Sequence, residues 1–234
     1  MKQVVSNRII HGLGVAVLMS FVTIAAAAQK SLSHARTEAR EATQLLNRVM
    51  SNPAKSIPRS LLRRAEAIAV FTNVKKGGFI IGGTGGDGVI ARRTGKTWGP
   101  PVYFDLGGAN VGLQIGVKKG NVIAIFMTES ALRDLLDDEF EMTAGVGVAA
   151  GPVGDEAGVS TGKNSDVYVY TSSSSGAFVG ATVGGGTIKA NNSINDDLYS
   201  MHAGAVLTDP SKIKMSTLPA ELQAFSAALA KYSN

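Results

Sequence analysis

The sequence predicts an α+β domain: an antiparallel, Gly-rich β-sheet curved into a sandwich or partial barrel, flanked by N- and C-terminal helices. Three observations predict it. The apolar period changes from 3.6 to 2 near Ile68. Glycine makes up 28 of the 234 residues, against about 7% in an average protein. Because glycine weakens helix and strand interiors alike, the excess belongs to tight turns, bulges and close backbone approaches. Finally, no strand–long helix–strand alternation occurs, which argues against a parallel α/β sheet.

The elements follow in chain order. Lys2 and Arg8 precede an apolar run, Ile9 to Ala28, that ends in four alanines. A basic start, an apolar middle and a small-residue exit are the layout of a secretory signal. Residues 1–28 are therefore expected to be removed, leaving one domain over 29–234. An uncleaved anchor is the alternative, since about 20 apolar residues span a bilayer; His11, Gly12 and Gly14 within the run favour cleavage. The chain has no cysteine, which excludes disulfides, thiolate metal sites and a lipidated cysteine anchor.

Leu32, Ala35, Ala39, Ala42, Leu46 and Val49 follow helical spacing and predict a helix over 32–50. Pro53 and Pro58 break it. A short helix over 58–66 follows, with Leu61, Leu62 and Ala65 inward and Arg59, Arg63 and Arg64 outward. From Ile68, the short runs IAVFTNV, FIIG, GVIAR, VYFDL, NVGLQIGV and NVIAIFM are bounded by Gly, Pro or Lys-Gly turns and predict antiparallel strands. ESALRDLLDDE predicts a helix. AGVGVAAG, AGVSTG, DVYVYTS, GAFVGATV and GGGTIK predict further strands. Asp196-Asp197 reads as a cap or as the start of a helix before Leu198 and Tyr199. Leu218, Leu222, Phe225, Leu229 and Tyr232 form the stripe of a closing helix over 219–232.

Two nucleotide-like patterns fail on context. Gly83 to Gly88 reads G-x-G-x-x-G, but a dinucleotide site needs a helix to start at the last glycine. Here VIARR follows, then Gly95 and Gly99-Pro100-Pro101. The Gly95-Lys96-Thr97 tripeptide lacks the first glycine of a P-loop, since position 90 is Ile90.

Enzyme chemistry is sparse. Beyond residue 28 there are two histidines, His34 and His202, and His34 falls on the polar side of the first helix. No G-x-S-x-G elbow occurs. The acidic run Asp134, Asp137, Asp138, Glu139 and Glu141 does not have the spacing of a calcium loop and reads as a solvated helix end. The expectation is a non-enzymatic protein with no catalytic residues, cofactor or metal ligand set.

Charge is segregated. Residues 29–100 carry thirteen Lys or Arg against four Asp or Glu, whereas 101–160 carry three against nine. Such asymmetry predicts a basic face and a separate acidic one.

The blocks KGGFIIGGTGGDGVIARR, GKTWGPPVYFDLGGANVGLQIGV, DVYVYTSSSSGAFVGATVGGGTI and NDDLYS, in this order between a helical N-terminus and a closing helix, resemble the SYLF domain family from about residue 36 to 230. The resemblance implies a lipid-binding module for phosphoinositides and other anionic phospholipids; some eukaryotic members also bind actin. For an exported, bacterial-type member it implies an anionic membrane surface of the cell envelope, with a periplasmic or secreted location.

The residues for such a surface are expected in the turns. If the strands from Ile68 to Met127 run up and down in sequence, their loops alternate between the two sheet ends. The first loop holds Lys75 and Lys76, the third Arg92, Arg93 and Lys96, and the fifth Lys118 and Lys119; the second, GGTGGDG, and the fourth, LGGAN, hold none. Seven cations are thus expected at one end. At about 1 kcal/mol each near an anionic surface, they predict reversible, salt-sensitive binding. The basic loops lack the interleaved aromatics that stack nucleic-acid bases, so nucleic acid is not an expected partner. A structural or protein-interaction module of the envelope, docking through the acidic 134–141 segment or the sheet, is the alternative function. A hydrolase with an unrecognised site is a third. No protein partner or oligomeric state is legible.

Overall fold

The computed structural model describes residues 28–53, 56–77, 82–110, 118–137, 139–142, 148–150, 165–173 and 186–234. The expected signal segment, except Ala28, and the expected strands AGVSTG and GAFVGATV lie outside them. Among the described residues no helix is long and apolar enough to cross a membrane.

Helix α1 spans 28–50. The residues that set its period, Ala35, Ala39, Ala42, Leu46 and Val49, are buried together with Leu45, so the stripe became the packed face. Helix α2, Arg59–Arg64, buries Leu61 and Leu62. The strands are β1 Ala67–Gly77, β2 Gly82–Thr94, β3 Thr97–Trp98, β4 Val102–Asn110, β5 Lys118–Phe126, β6 Glu139–Met142, β7 Val148–Ala150, β8 Val167–Ser173 and β9 Gly186–Ala190. Helix α3, Glu129–Leu136, separates β5 from β6; α4, Asn192–Tyr199, α5, Ala203–Thr208, and α6, Ala220–Ser233, close the chain.

The strands form one curled, open sheet in the order β6-β9-β4-β2-β1-β5-β8-β7, with β3 pairing β2 as a side ribbon. The pairings are antiparallel as expected, except that β7 lies parallel to β8. Parallel neighbours need a connection of about a dozen residues or more, and 151–166 supply it. The α+β class and the flanking helices are those the sequence predicts.

The sheet has two unlike halves. In one, burial is consecutive rather than alternating: Ala67 to Thr72, Val89 to Ala91, Val102 to Phe104, Val122 to Phe126 and Val167 to Tyr170. Both faces of these stretches are covered, and they form a single core cluster with α1, α2, α3 and α6. The other half holds the glycines. Gly83, Gly85 and Gly86 of β2 pair with Ala109, Gly107 and Leu106 of β4. The expected loops GGTGGDG and LGGAN are therefore paired strand, and β2 and β4 are each longer than the sequence reading made them.

Two glycines are required by their surroundings. Gly95, at φ +61°, opens the two-residue turn that joins Thr94 to its ladder partner Thr97, and hairpin turns of this length call for positive φ. At Gly88 a Cβ would run into the Phe71 ring and the Val70 carbonyl oxygen.

Candidate functional site

The ladder registers decide where the predicted cations go. Lys75 is opposite Lys119 and Lys76 opposite Lys118 in the β1–β5 pair. In the β1–β2 pair Ala67 faces Arg92 and Gly77 faces Gly83, so β2 runs back and carries Arg92 and Arg93 to the other end of the sheet. Lys96 sits in the turn beyond them. The expected cluster of seven is thus divided: four lysines at one end, two arginines and a lysine at the other. The physical reason is that two of the counted loops are strand, which changes the parity on which the single cluster depended.

The two arginines are also engaged by the fold. Arg93 donates from Nε to the Ala65 carbonyl at 2.8 Å and from its NH2 nitrogen to the Leu62 carbonyl. These are free carbonyls at the end of α2. Its guanidinium also lies 4.4 Å from the Trp98 ring centre. Arg92 donates from its NH2 nitrogen to both carboxylate oxygens of Glu129 in the first turn of α3, at 2.8 and 3.1 Å, and from its NH1 nitrogen to the Leu207 carbonyl at 2.9 Å near the end of α5. Lys75 and Lys96 are exposed.

A second site escaped the sequence reading. Strand β1 bulges between Phe71 and Val74, and Asn73 takes a left-handed φ of 53°, which Asn tolerates better than most residues. Beside the bulge, Asp87 of β2 is directly opposite Asp105 of β4. Asp105 is in turn opposite Lys189 of β9, and Lys189 opposite Glu139 of β6. A charged row therefore crosses four strands. Helix α1 lays His34, Glu38 and Glu41 over its β2 end, at the i, i+4 and i+7 positions that share one helix face.

The contacts are specific. His34 Nε2 lies 3.6 Å from Asp87 Oδ2. Asn73 Nδ2 donates to Glu41 Oε2 at 2.6 Å. The Thr72 hydroxyl is 3.2 Å from Glu41 Oε2 and 3.4 Å from Glu38 Oε2. Asn191, which caps α4, donates to both oxygens of Asp105 at 3.1 and 3.2 Å. Burial first, then the charges of Glu41 and Asp87, push the Glu38 carboxyl up to about 7. Burial also raises Asp105, opposed by the Asn191 amide. Among the described residues no Lys or Arg pairs with Glu38, Glu41, Asp87 or Asp105. One signal for this site existed, the His34, Glu38, Glu41 spacing. It borders the apolar stripe and reads as its solvated edge, while Asp87 lies in a run that reads as a turn.

The geometry contains paired lysines at one strand end and a carboxylate–imidazole group under α1. Comparison with known proteins gives the family of the chain. The family profile "Ysc84: Las17-binding protein actin regulator" matches residues 107–232. Protein YSC84 of Saccharomyces cerevisiae is 33% identical over 165 residues, covering 68% of this chain and 35% of the relative. LAS seventeen-binding protein 3 of the same yeast is 30% identical over 164 residues, with the same coverage. The SH3 domain-containing YSC84-like protein 1 of Xenopus laevis is 28% identical over 176 residues, covering 71% of this chain and 52% of the relative. The matches thus span about a third to a half of these relatives' lengths. With the profile matching more than half of the chain and the yeast relative passing 30% identity, this chain belongs to the Ysc84 family, the SYLF domain proteins.

Proposed function

We propose that the chain is a non-enzymatic module that binds anionic phospholipid headgroups through the sheet end carrying Lys75, Lys76, Lys118 and Lys119. The observation that supports it is the β1–β5 register, which sets lysine opposite lysine on two successive rungs. Like charges directly opposite in a ladder are destabilising. Phosphate groups bound between them remove that repulsion, so the arrangement favours an anion-bearing surface over bare solvent. Arg92 and Arg93 drop out of the donor set because the fold already uses them. Four lysines at about 1 kcal/mol each give roughly 4 kcal/mol, which corresponds to weak binding, screened within about 8 Å at physiological salt.

The test is flotation of residues 29–234 with vesicles of neutral lipid, with and without anionic lipid, at low and high salt. Binding is expected to need the anionic lipid and to weaken as salt rises. Reversal of the four lysines to Glu is expected to abolish it, and Lys96→Glu to leave it intact. A quadruple variant that floats like the parent sinks the reading.

Its second reading is a protein-interaction module, favoured by the relatives' names, which describe Las17 binding and actin regulation. Co-sedimentation with filamentous actin that survives the quadruple reversal, without flotation of the parent, selects it. In either reading the Lys2–Ala28 segment directs export, and the protein works at the envelope surface. N-terminal sequencing from the native host is expected to start at Gln29; a retained Met1 on cytosolic material overturns that.

A further inference from the structure

We propose that His34, Glu38 and Asp87 form a binding site for one divalent transition-metal cation of the Zn2+ class, which ties α1 to the sheet. One ligand atom from each of these residues lies within 4.8 Å of the others. Two come from one helix face a turn apart and the third from β2, so rigid elements set the geometry. Zinc bonds to His nitrogen and carboxylate oxygen are about 2.0–2.2 Å, which places neighbouring donors of a tetrahedral ion about 3.3–3.6 Å apart. His34 Nε2 and Asp87 Oδ2, at 3.6 Å, already meet that spacing. Small side-chain rotations bring in the third ligand.

The second observation is Glu38 itself. It is 8% exposed, contributes a ligand atom to the group, and makes no ion pair with a Lys or Arg among the described residues. Among the described residues its hydrogen-bond donor is the Thr72 hydroxyl, which carries a single proton. That proton is nearer to Glu41, at 3.2 against 3.4 Å. A buried carboxylate that shares its donor with a second carboxylate and has no Lys or Arg beside it is costly. So is the directly opposed Asp87–Asp105 pair. One cation relieves both. The donor set, one imidazole and two carboxylates, suits Zn2+ better than a hard cation such as Mg2+, which prefers oxygen alone. Three protein ligands leave a fourth position to water.

The experiment uses the tag-free chain, treated with a chelator and dialysed, then titrated with ZnCl2 or MgCl2 by calorimetry and followed by thermal unfolding. One equivalent of Zn2+ is expected to bind and to raise the Tm by several degrees. His34→Ala and Asp87→Asn are each expected to weaken Zn2+ binding at least tenfold. Their side chains are 40% and 53% exposed, so the variants are expected to fold like the parent. His202→Ala, which alters the separate His202–Asp196 pair at 3.4 Å, is expected to change nothing. X-ray absorption at the zinc edge is expected to show nitrogen and oxygen ligands with one imidazole. The proposal is overturned if Zn2+ leaves the parent's Tm unchanged, if the His34→Ala/Asp87→Asn double variant binds as tightly as the parent, or if Mg2+ stabilises equally at the same concentration.

Discussion

Arg93 and Lys75 begin as equivalent members of one list of cations and end in opposite roles. Arg93 is partly buried, its pKa lowered by that burial, and its planar fork meets two carbonyls that the end of α2 leaves without partners. Lys75 is exposed at a strand end. A guanidinium suits the first task because it is weakly hydrated, planar and rich in donors. Arg93→Ala is expected to destabilise the domain by about 2–3 kcal/mol, from two lost carbonyl bonds and the Trp98 stack. Urea unfolding followed by the fluorescence of Trp98, the single tryptophan, measures it. Vesicle binding by the folded variant is expected to match the parent, which separates the structural arginine from the four lysines proposed to bind lipid.

Among elements, β4 and α4 show how a side chain extends a ladder. Asn195 is fully buried. Its Oδ1 accepts from the Tyr103 amide at 2.9 Å and its Nδ2 donates to the Tyr103 carbonyl at 3.0 Å, so it acts as the backbone partner that β9 does not supply there. The neighbouring Asn191 caps α4 by accepting from the Ile194 amide at 3.3 Å. Asn195→Ala leaves the buried amide of Tyr103 unpaired, while the Tyr103 carbonyl still accepts from the Asn191 amide at 3.0 Å. At about 1–3 kcal/mol for an unsatisfied buried group, the expected loss is in that range. Asn195→Asp is expected to lose less, because it keeps the acceptor. Equilibrium denaturation of the two variants checks that order, and equal losses would show that packing rather than pairing sets the cost.

Across the whole molecule, the first and last helices clasp each other over the core. Arg36 of α1 makes two bonds to Glu221 in the first turn of α6, at 2.9 and 3.1 Å. Tyr232, near the end of α6, donates to Asn47 at 2.8 Å. The hydrogen bond to Arg36 holds the Glu221 carboxyl below its usual range. A carboxylate depressed on folding stabilises the native state above its unfolded pKa of 4.5, and that contribution fades as pH falls through the lower folded value. Thermal unfolding of Glu221→Gln is therefore expected to show a flatter acid limb below about pH 4.5 and a small change at neutral pH, since the pair faces water. A steeper acid limb in the variant would contradict the assignment.

The fold class, both helical ends and the strands of the buried half were legible in the sequence, because residues such as Ala35, Leu46, Phe225 and Leu229 declare their face by spacing alone. That signal is local: a helix or strand must bury its own stripe wherever it docks. The division of the seven cations and the group under α1 were not legible. Gly83 to Gly88 carries the composition of a turn, yet it pairs with β4 as strand; that misread turn moves Arg92 and Arg93 to the other sheet end, and the second one, LGGAN, returns Lys118 and Lys119 to the end of Lys75 and Lys76. His34 and Asp87 are more than fifty residues apart, and only the packing of α1 on the bulged β1 and its neighbour β2 brings them within 3.6 Å. Spacing determined which residues go inside. Register, which depends on partners distant in the chain, decided which charges meet.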